Sequence, residues 1–322
     1  EQTSLIGYAA VKLLHEAGVP LDVLQYLPGD GATVGAALTK DPRVAGVAFT
    51  GSTETAWAIN RTLAARNAPI AALVAETGGQ NAMIADSSAL PEQIVKDVIA
   101  SAFQSAGQRC SAARVLFVQE DIADKVIGML AGAMAELKVG DPGQLSTDVG
   151  PVIDEDAKQI LVEHAARMDK EAKKIAEAKL DAEVAAHGTF FAPRAYEIPA
   201  LATLTREVFG PVLHIVRWKG SELAQVVEQI NATGYGLTLG VHSRINDTVE
   251  YIRSHARVGN CYVNRNQIGA VVGVQPFGGE SLSGTGPKAG GPHYLLRFAG
   301  ERTLTINTTA AGGNASLLTI GE

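Results

Sequence analysis

Apolar residues along this chain recur in two alternating patterns, one typical of helices and the other of buried strands. Near the start, their three-to-four-residue spacing predicts an amphipathic helix over residues 5–14, which Gly18 and Pro20 end. Short apolar runs predict strands over residues 23–27, 44–49, 70–75, 114–118, 212–218, 237–242 and 259–264. Helical segments are predicted over residues 33–39, 53–66, 91–106, 121–137, 154–174, 221–231 and 247–255. The alternation predicts an α/β fold of parallel βαβ units with helices on both faces of the sheet.

The character of the chain changes after Glu76, and we expect a domain boundary there. Residues 1–77 are assigned to a first domain, residues 78–280 to a second, larger α/β domain, and residues 281–322 to a C-terminal segment and tail. The charged stretch over residues 171–183 is predicted to be mostly a solvated helix face with i,i+4 charge pairs. Small and polar residues over 308–322 predict a flexible tail.

Composition limits the class of protein. Hydrophobic residues make up 46% of the chain and charged residues 19%, which is typical of a globular protein with a substantial core. A net charge of -7 argues against nucleic acid or an anionic membrane as a partner. The two cysteines cannot form a disulfide framework, and no apolar run is long enough to span a bilayer. We therefore expect a cytoplasmic protein without a membrane span or a nucleic-acid contact.

Cys110 is the first candidate for chemistry, because it lies in the polar segment GQRCS at residues 107–111. A free cysteine is more often a small buried residue of the core. These neighbours do not suggest a core, however, and Arg109 is expected to lower the thiol pKa and favour the nucleophilic thiolate. Cys261 lies in a predicted strand and is assigned to packing.

Glu76 is the second candidate, at the end of an apolar strand and just before Gly78 and Gly79. A carboxylate in that position costs free energy unless it has a partner or a function. The alternatives are a helix cap or an ion pair. We favour a general base that activates water, since the two glycines allow substrate and cofactor to approach closely. Together, a thiolate and a carboxylate make the covalent oxidation of an aldehyde to an acid possible.

Other motifs restrict the remaining choices. The turn at Gly51 and Ser52 opens a helix, whose free N–H groups suit a phosphate. Gly29 and Gly31 do not complete a dinucleotide-binding fingerprint, because Val34 occupies the place of its third glycine. No histidine or cysteine pair has metal-ligand spacing and no serine nucleophile motif is present, so no metal site is expected. A glycine-rich loop within residues 276–288 is either a long surface turn or part of a pocket wall.

Five segments resemble, in order, those of the aldehyde dehydrogenase superfamily, at residues 49–53, 76–81, 108–111, 207–211 and 274–279. Two more specific segments, 264–273 and 284–293, are similar to the Δ1-pyrroline-5-carboxylate dehydrogenase module of bifunctional proline utilization proteins. The resemblance implies an aldehyde dehydrogenase-like α/β fold, with a partial Rossmann-type NAD-binding domain followed by an α/β catalytic domain. It also implies NAD-dependent oxidation of L-glutamate γ-semialdehyde to L-glutamate.

The resemblance further assigns roles to individual residues. It makes Cys110 the nucleophile and Glu76 the base that activates water for hydrolysis of the thioester. The residues implied to hold NAD are Gly51, Ser52, Thr77, Gly78, Glu207 and Phe209. Those implied to hold the substrate are Arg109, Ser111, Gly269, Ala270 and Phe277.

Parts of the family pattern have no counterpart here, which leads to further expectations. In the family, a lysine that binds the adenosine ribose and an asparagine of the oxyanion hole precede the segment matching residues 1–3, as do the first strands of the cofactor domain. We therefore expect the chain alone to have poor solubility and negligible activity. The resemblance places FAD only in a separate upstream proline dehydrogenase domain, and we expect the full protein to be a homo-oligomer.

Three classes of function stay open from the sequence. The first is an active NAD-dependent aldehyde dehydrogenase, for this or for another aldehyde. The second is an inactive structural relative, although the presence of both Cys110 and Glu76 argues against it. The third is a DNA-binding regulator, which would need a basic module that this acidic chain lacks.

Overall fold

The structure, a computed structural model, describes residues 1–307, in which short strands alternate with helices. The helices are α1 (Ser4–Glu16), α2 (Ala36–Lys40), α3 (Thr53–Ala64), α4 (Pro91–Phe103), α5 (Glu120–Ala135), α6 (Glu155–Glu171), α7 (Ala182–Ala186), α8 (Leu223–Ala232) and α9 (Asn246–His255). The strands are β1 (Gly46–Thr50), β2 (Ala72–Glu76), β3 (Ala82–Ala85), β4 (Val115–Gln119), β5 (Lys173–Glu177), β6 (Arg194–Glu197), β7 (Val212–Trp218), β8 (Tyr235–Gly236), β9 (Thr238–His242), β10 (Asn260–Val263) and β11 (Glu280–Ser281). The predicted α/β class is confirmed.

Most of the hydrophobic core lies on a seven-stranded sheet, whose spatial order is β10-β9-β3-β4-β7-β6-β5. Neighbouring strands are parallel, except that β5 pairs antiparallel with β6 at one edge. In β4, the residues Val115 to Val118 have no exposed surface. Such a continuous apolar run is typical of a parallel strand that is covered on both faces. Helix α5 packs against β4 and against α4, which supplies part of that cover.

A separate two-stranded sheet positions the start of the candidate site. Strands β1 and β2 are parallel, and their register pairs Gly46 with Ala72 and Thr50 with Glu76. The carboxyl ends of the two strands therefore lie side by side, and α3 begins directly after β1. In parallel sheets this edge is where ligands usually bind. The domain boundary after residue 77 stays a prediction, although the strands before it and after it belong to different sheets.

The exceptions to the predicted elements have physical reasons. No strand forms over residues 23–27, where Val23 and Leu27 are largely exposed and no neighbouring strand supplies hydrogen bonds. The strand predicted over residues 70–75 begins only at Ala72, because Ile70 is fully exposed. The helix predicted over residues 91–106 ends at Phe103, where the chain changes direction.

The charged stretch 171–183 is not the predicted helix face, because its first part forms the edge strand β5. Charged side chains suit an edge strand, since they stay in water and discourage pairing with another chain. Strands β3 and β6 are not foreseen at all, each being only four residues long. The tail predicted over residues 308–322 lies outside the described residues.

Helix α1 is confirmed near its predicted bounds, but none of its residues is buried. Leu5 and Ile6 are among its most exposed apolar side chains. Within residues 1–307, no helix combines the length and the apolar character that crossing a membrane requires.

Candidate active site

A cavity of about 1070 Å³ opens at the carboxyl ends of β1 and β2. Every site residue predicted from the sequence lines it: Gly51, Ser52, Glu76, Thr77, Gly78, Arg109, Cys110, Ser111, Glu207, Phe209, Gly269, Ala270 and Phe277. Its wall also includes residues that the sequence does not single out, among them Glu54, Arg206, Tyr235 and Gln275. The structure thus brings together segments more than 200 residues apart in sequence, while the individual roles stay predictions.

A sharp turn after α4 directs the chain towards the cavity. Ser105, Ala106 and Gly107 have φ values of 57°, 54° and 63°, so three successive residues are left-handed. No residue other than glycine fits at position 107, because a Cβ atom there would lie 2.2 Å from the carbonyl oxygen of Gly210. Residues 105–112, called the cysteine loop below, leave this turn and carry Cys110 to the cavity wall.

Two buried side chains hold the backbone of the cysteine loop. The Asn81 Nδ2 group donates to the carbonyl oxygens of Cys110, at 2.6 Å, and Ala112, at 3.0 Å. The Arg114 guanidinium donates to the carbonyl oxygens of Gly107, at 2.7 Å, and of Arg109, at 3.1 Å. Carbonyl groups that would otherwise lack partners in the interior are therefore satisfied, and the position of Cys110 is fixed.

Arg114 also forms a buried ion pair with Glu207. The guanidinium is 1% exposed, and its Nη2 lies 3.1 Å from Glu207 Oε1. The second carboxylate oxygen of Glu207 accepts a hydrogen bond of 3.1 Å from the Gly79 N–H group. Burial raises the pKa of Glu207, and the guanidinium and this N–H group counteract it. Sequence reasoning misses the role of Arg114; its only signal is a charged residue directly before a wholly apolar strand.

The thiol of Cys110 is not activated by Arg109, and that expectation is wrong. Burial raises the pKa of Cys110, and the negative charges of Glu207 and Glu76 raise it further. The backbone N–H groups of Ser111 and of Cys110 itself act in the opposite direction. Arg109 instead donates from Nε to the Ser105 hydroxyl at 3.2 Å, within its own loop. Any anion formed at this position is therefore stabilised by backbone N–H groups.

Glu76 is held at the end of β2 with a carboxyl group that is easily protonated. Burial raises its pKa to about 7, although the Gly279 N–H group and the charge of Lys288 lower it. The Gly279 nitrogen lies 2.9 Å from Glu76 Oε2, whereas Oε1 is buried without a hydrogen-bond partner. A carboxyl group that titrates near neutral pH is suited to accept a proton during a reaction.

The glycine-rich loop is a wall of the cavity and not a surface turn. Phe277 and Ala289 exchange backbone hydrogen bonds of 2.9 and 2.8 Å across it. Its C-terminal part is joined to β2, because the Thr285 N–H group donates to the Ala75 carbonyl at 2.9 Å. Close approach explains the glycine at position 278, where a Cβ atom would lie 2.6 Å from Glu76 Oε1.

The part of the cavity wall formed by the first turn of α3 and by Glu207 suits a phosphate group and a ribose. Ser52 caps α3, since its hydroxyl accepts from the Thr55 N–H group at 3.2 Å, and the remaining N–H groups of that turn lie at the cavity. The Glu207 carboxylate approaches Gly78 so closely that a Cβ atom there would lie 1.9 Å from it. Phe209 is partly exposed, and the centroid of its ring lies 5.0 Å from Cζ of the Arg114 guanidinium.

Two other predictions concern residues outside the cavity. Cys261 is half-buried against the hydrophobic core, in agreement with its assignment to packing. Among residues 1–307, no group of histidine, cysteine and acidic side chains is arranged to hold a metal ion.

An α/β scaffold that presents a cysteine and a carboxylate at one large cavity has the groups that covalent aldehyde oxidation requires. Residues 1–304 match the family model described as the aldehyde dehydrogenase family, and the chain belongs to this family. Its fold is the aldehyde dehydrogenase fold, as predicted.

Individual proteins that resemble the chain show which members of the family it is similar to. The chain is 57% identical over 309 residues to the bifunctional protein PutA of Klebsiella aerogenes, covering 94% of this chain and 24% of that protein. A solved variant of proline utilization A from Bradyrhizobium japonicum is 60% identical with a TM-score of 0.93, covering 97% of this chain and 32% of that one. 1-Pyrroline-5-carboxylate dehydrogenase from Thermus, solved with bound NAD, is 36% identical with a TM-score of 0.85, covering 92% and 57%. The chain therefore spans about a quarter of the length of its PutA relative.

We expect Arg114→Met to destabilise the full-length protein by about 3–5 kcal/mol, because it leaves Glu207 as a buried charge without its partner. Urea unfolding measures the loss. Arg253→Met is the matched control: this arginine is largely exposed and paired with Glu250, and its loss should cost no more than about 1 kcal/mol. Equal losses of unfolding free energy in the two variants would contradict a special contribution of the buried Arg114–Glu207 ion pair to stability.

Proposed function

We propose that this chain is part of an enzyme that oxidises L-glutamate γ-semialdehyde to L-glutamate with NAD+ as the hydride acceptor, through a covalent intermediate on Cys110. The observation that carries the proposal is the placement of Cys110 and Glu76 on one cavity, with Glu76 titrating at about pH 7. The kinship with PutA and with 1-pyrroline-5-carboxylate dehydrogenase supports the choice of aldehyde. The PutA relatives are named bifunctional, which supports a second activity elsewhere in the full-length protein. We propose that this activity is proline oxidation with FAD.

The first step is the addition of the Cys110 sulfur to the aldehyde carbon. Because burial raises the pKa of the thiol, its proton has to leave before attack, and it passes to water in the cavity and not to Glu76, whose proposed role is in the second half of the reaction. The new carbon–sulfur bond turns the aldehyde oxygen into an oxyanion. The N–H groups of Cys110 and Ser111, which favour the thiolate, are placed to stabilise that oxyanion as well.

The carboxyl ends of β1 and β2 and the first turn of α3 offer the groups that a dinucleotide cofactor needs. The first turn of α3, with Gly51 and Ser52, is proposed to hold the pyrophosphate, and Glu207 the hydroxyl groups of the nicotinamide ribose. Thr77, Gly78 and Phe209 complete this part of the wall. NAD+, when bound, accepts the hydride that the thiohemiacetal carbon loses as it becomes a thioester.

The second half of the reaction is hydrolysis of the thioester. Glu76, once ionised, accepts a proton from water as the water oxygen attacks the thioester carbon. The carbon–sulfur bond then breaks, the acid leaves, and the proton held by Glu76 returns to the sulfur, which regenerates the thiol of Cys110 and the ionised carboxylate.

The other end of the substrate is proposed to lie against the second part of the cavity wall. Arg109, Ser111, Gly269 and Ala270 would anchor the α-carboxylate, and Phe277 would pack on the aliphatic stem. Ser111 is held in place from behind, because its carbonyl accepts from the Thr238 hydroxyl at 3.1 Å and from Gln267 Nε2 at 3.4 Å. Both cysteines are free, which supports a location in the reducing cytoplasm. We also propose that the full-length protein is a homo-oligomer.

The full-length protein should have a higher kcat/KM for L-glutamate γ-semialdehyde than for an unbranched aldehyde of equal chain length that lacks the carboxylate. Charge-assisted hydrogen bonds contribute about 1.5–3 kcal/mol, so we expect a difference of roughly 10- to 150-fold in kcat/KM, which Arg109→Met should reduce. NADH absorbance measures both rates. Equal values for the two aldehydes would favour another specificity, and no NADH from either would favour an inactive relative.

Glu76→Gln should slow thioester hydrolysis more than hydride transfer, since the carboxylate acts on water after the thioester has formed. Stopped-flow absorbance should show a burst of NADH followed by a slow steady rate. In the unmodified enzyme the steady rate should fall about tenfold per pH unit below pH 7, because protonation removes the base. The exposed Glu183→Gln serves as a control. A variant without a burst and with an unchanged steady rate would rule out this role.

A further inference from the structure

Lys288 lies behind Glu76, in a network of hydrogen bonds to which the proposed reaction assigns no role. Its Nζ group donates to Asn260 Oδ1 and to the Gly278 carbonyl, each at 3.0 Å, and also to the Gly259 carbonyl. An ammonium group has three N–H donors, so these three acceptors use all of them. The side chain is therefore held in one place, half-buried, and does not extend freely into water.

A pair of glycines separates the ammonium group from the carboxylate. The Gly278 carbonyl accepts from Lys288, and the next residue, Gly279, donates its N–H group to Glu76 Oε2. A Cβ atom on Gly278 would lie 2.6 Å from Glu76 Oε1 and 3.2 Å from the Cα atom of Lys288. Asn260 strengthens the arrangement, since its Oδ1 also accepts from the Gly278 N–H group at 3.2 Å. Any shift of Lys288 would therefore move the turn that holds Glu76.

The charges of Lys288 and Glu76 each favour the ionised form of the other group. The positive charge of Lys288 favours the ionised form of Glu76, and the negative charge of Glu76 favours the charged form of Lys288. Glu280, on the same loop and exposed, also favours the charged ammonium, whereas burial disfavours it. Cys110 also senses Glu76, whose negative charge raises the pKa of the thiol. Among these groups, Lys288 is the cation that opposes the burial of Glu76.

We propose that Lys288 is a positioning residue for thioester hydrolysis, which fixes the Gly278–Gly279 turn against Glu76 and stabilises the ionised, proton-accepting form of that carboxylate. The inference rests on the proposed function for the role of Glu76 as the base. It adds the reason why a partly buried carboxyl group is available as a base near neutral pH. The step it affects is hydrolysis, since hydride loss from the thiohemiacetal needs no ionised Glu76.

Two substitutions separate the charge of Lys288 from its hydrogen bonds. Lys288→Gln keeps an amide donor and removes the charge, whereas Lys288→Arg keeps the charge. In the full-length enzyme, Lys288→Gln should move the acid limb of the steady-state pH profile up by about one unit, which means a rate about tenfold lower at pH 6. The NADH burst should keep its amplitude, and Lys288→Arg should leave the limb close to its original position. Lys125→Gln, at an exposed lysine, is the matched control and should change nothing.

A Lys288→Gln enzyme that is slower by the same factor at every pH would overturn the proposal, because it would show a structural role alone. A second measurement needs neither turnover nor a folded Lys288 variant. With ¹³C-labelled lysine, NMR follows the titration of Lys288 through its Cε signal, and Glu76→Gln should lower its pKa because the facing negative charge is gone. An unchanged titration would also overturn the proposal. If the unmodified enzyme forms no NADH but this titration shifts, the proposed function fails and the pairing of Lys288 with Glu76 stands.

Discussion

One buried guanidinium group holds the two sides of the candidate site together. Arg114 is 1% exposed, and it donates to carbonyl groups of the cysteine loop, to the Gly210 carbonyl and to the Glu207 carboxylate. Burying two charges costs several kcal/mol, and this cost is offset only when the geometry satisfies their hydrogen bonds. Because Glu207 also binds the Gly79 N–H group, the network joins the cysteine loop to the chain that follows Glu76. Arg114 therefore helps to fix the cysteine loop relative to the segment that follows Glu76.

The same low-polarity surroundings determine how protons are shared at the site. Burial raises the pKa of both Cys110 and Glu76, so that each prefers its neutral form. The proposed reaction needs each of them ionised in turn, and different groups in the structure favour the ionised form of each. Backbone N–H groups favour the thiolate, whereas the Gly279 N–H group and the Lys288 ammonium favour the carboxylate. Burial thus favours the neutral form of both groups, while the neighbouring donors allow each of them to ionise.

Sequence reasoning finds the residues whose signal is local. Glu76 stands out because it ends an apolar strand before two glycines, and Cys110 because its neighbours are polar. Arg114 and Lys288 do not stand out, because a charge beside a strand or within a glycine-rich loop is common and only three-dimensional contacts reveal its partner. The left-handed turn at Ser105 is likewise unforeseen, since only glycine favours that conformation on its own. The errors at residues 23–27 and 171–183 arose where sheet contacts, not local pattern, decide the structure.

The central claim is that Cys110 carries the acyl group and that Glu76 releases it. The most direct test is mass spectrometry of the Glu76→Gln enzyme, quenched with acid after mixing with L-glutamate γ-semialdehyde and NAD+ and then digested. The account predicts a thioester mass on the peptide that contains Cys110, and none in an enzyme that also carries Cys110→Ala. Label on Cys261 instead, or NADH formation without any label on a cysteine, would contradict it.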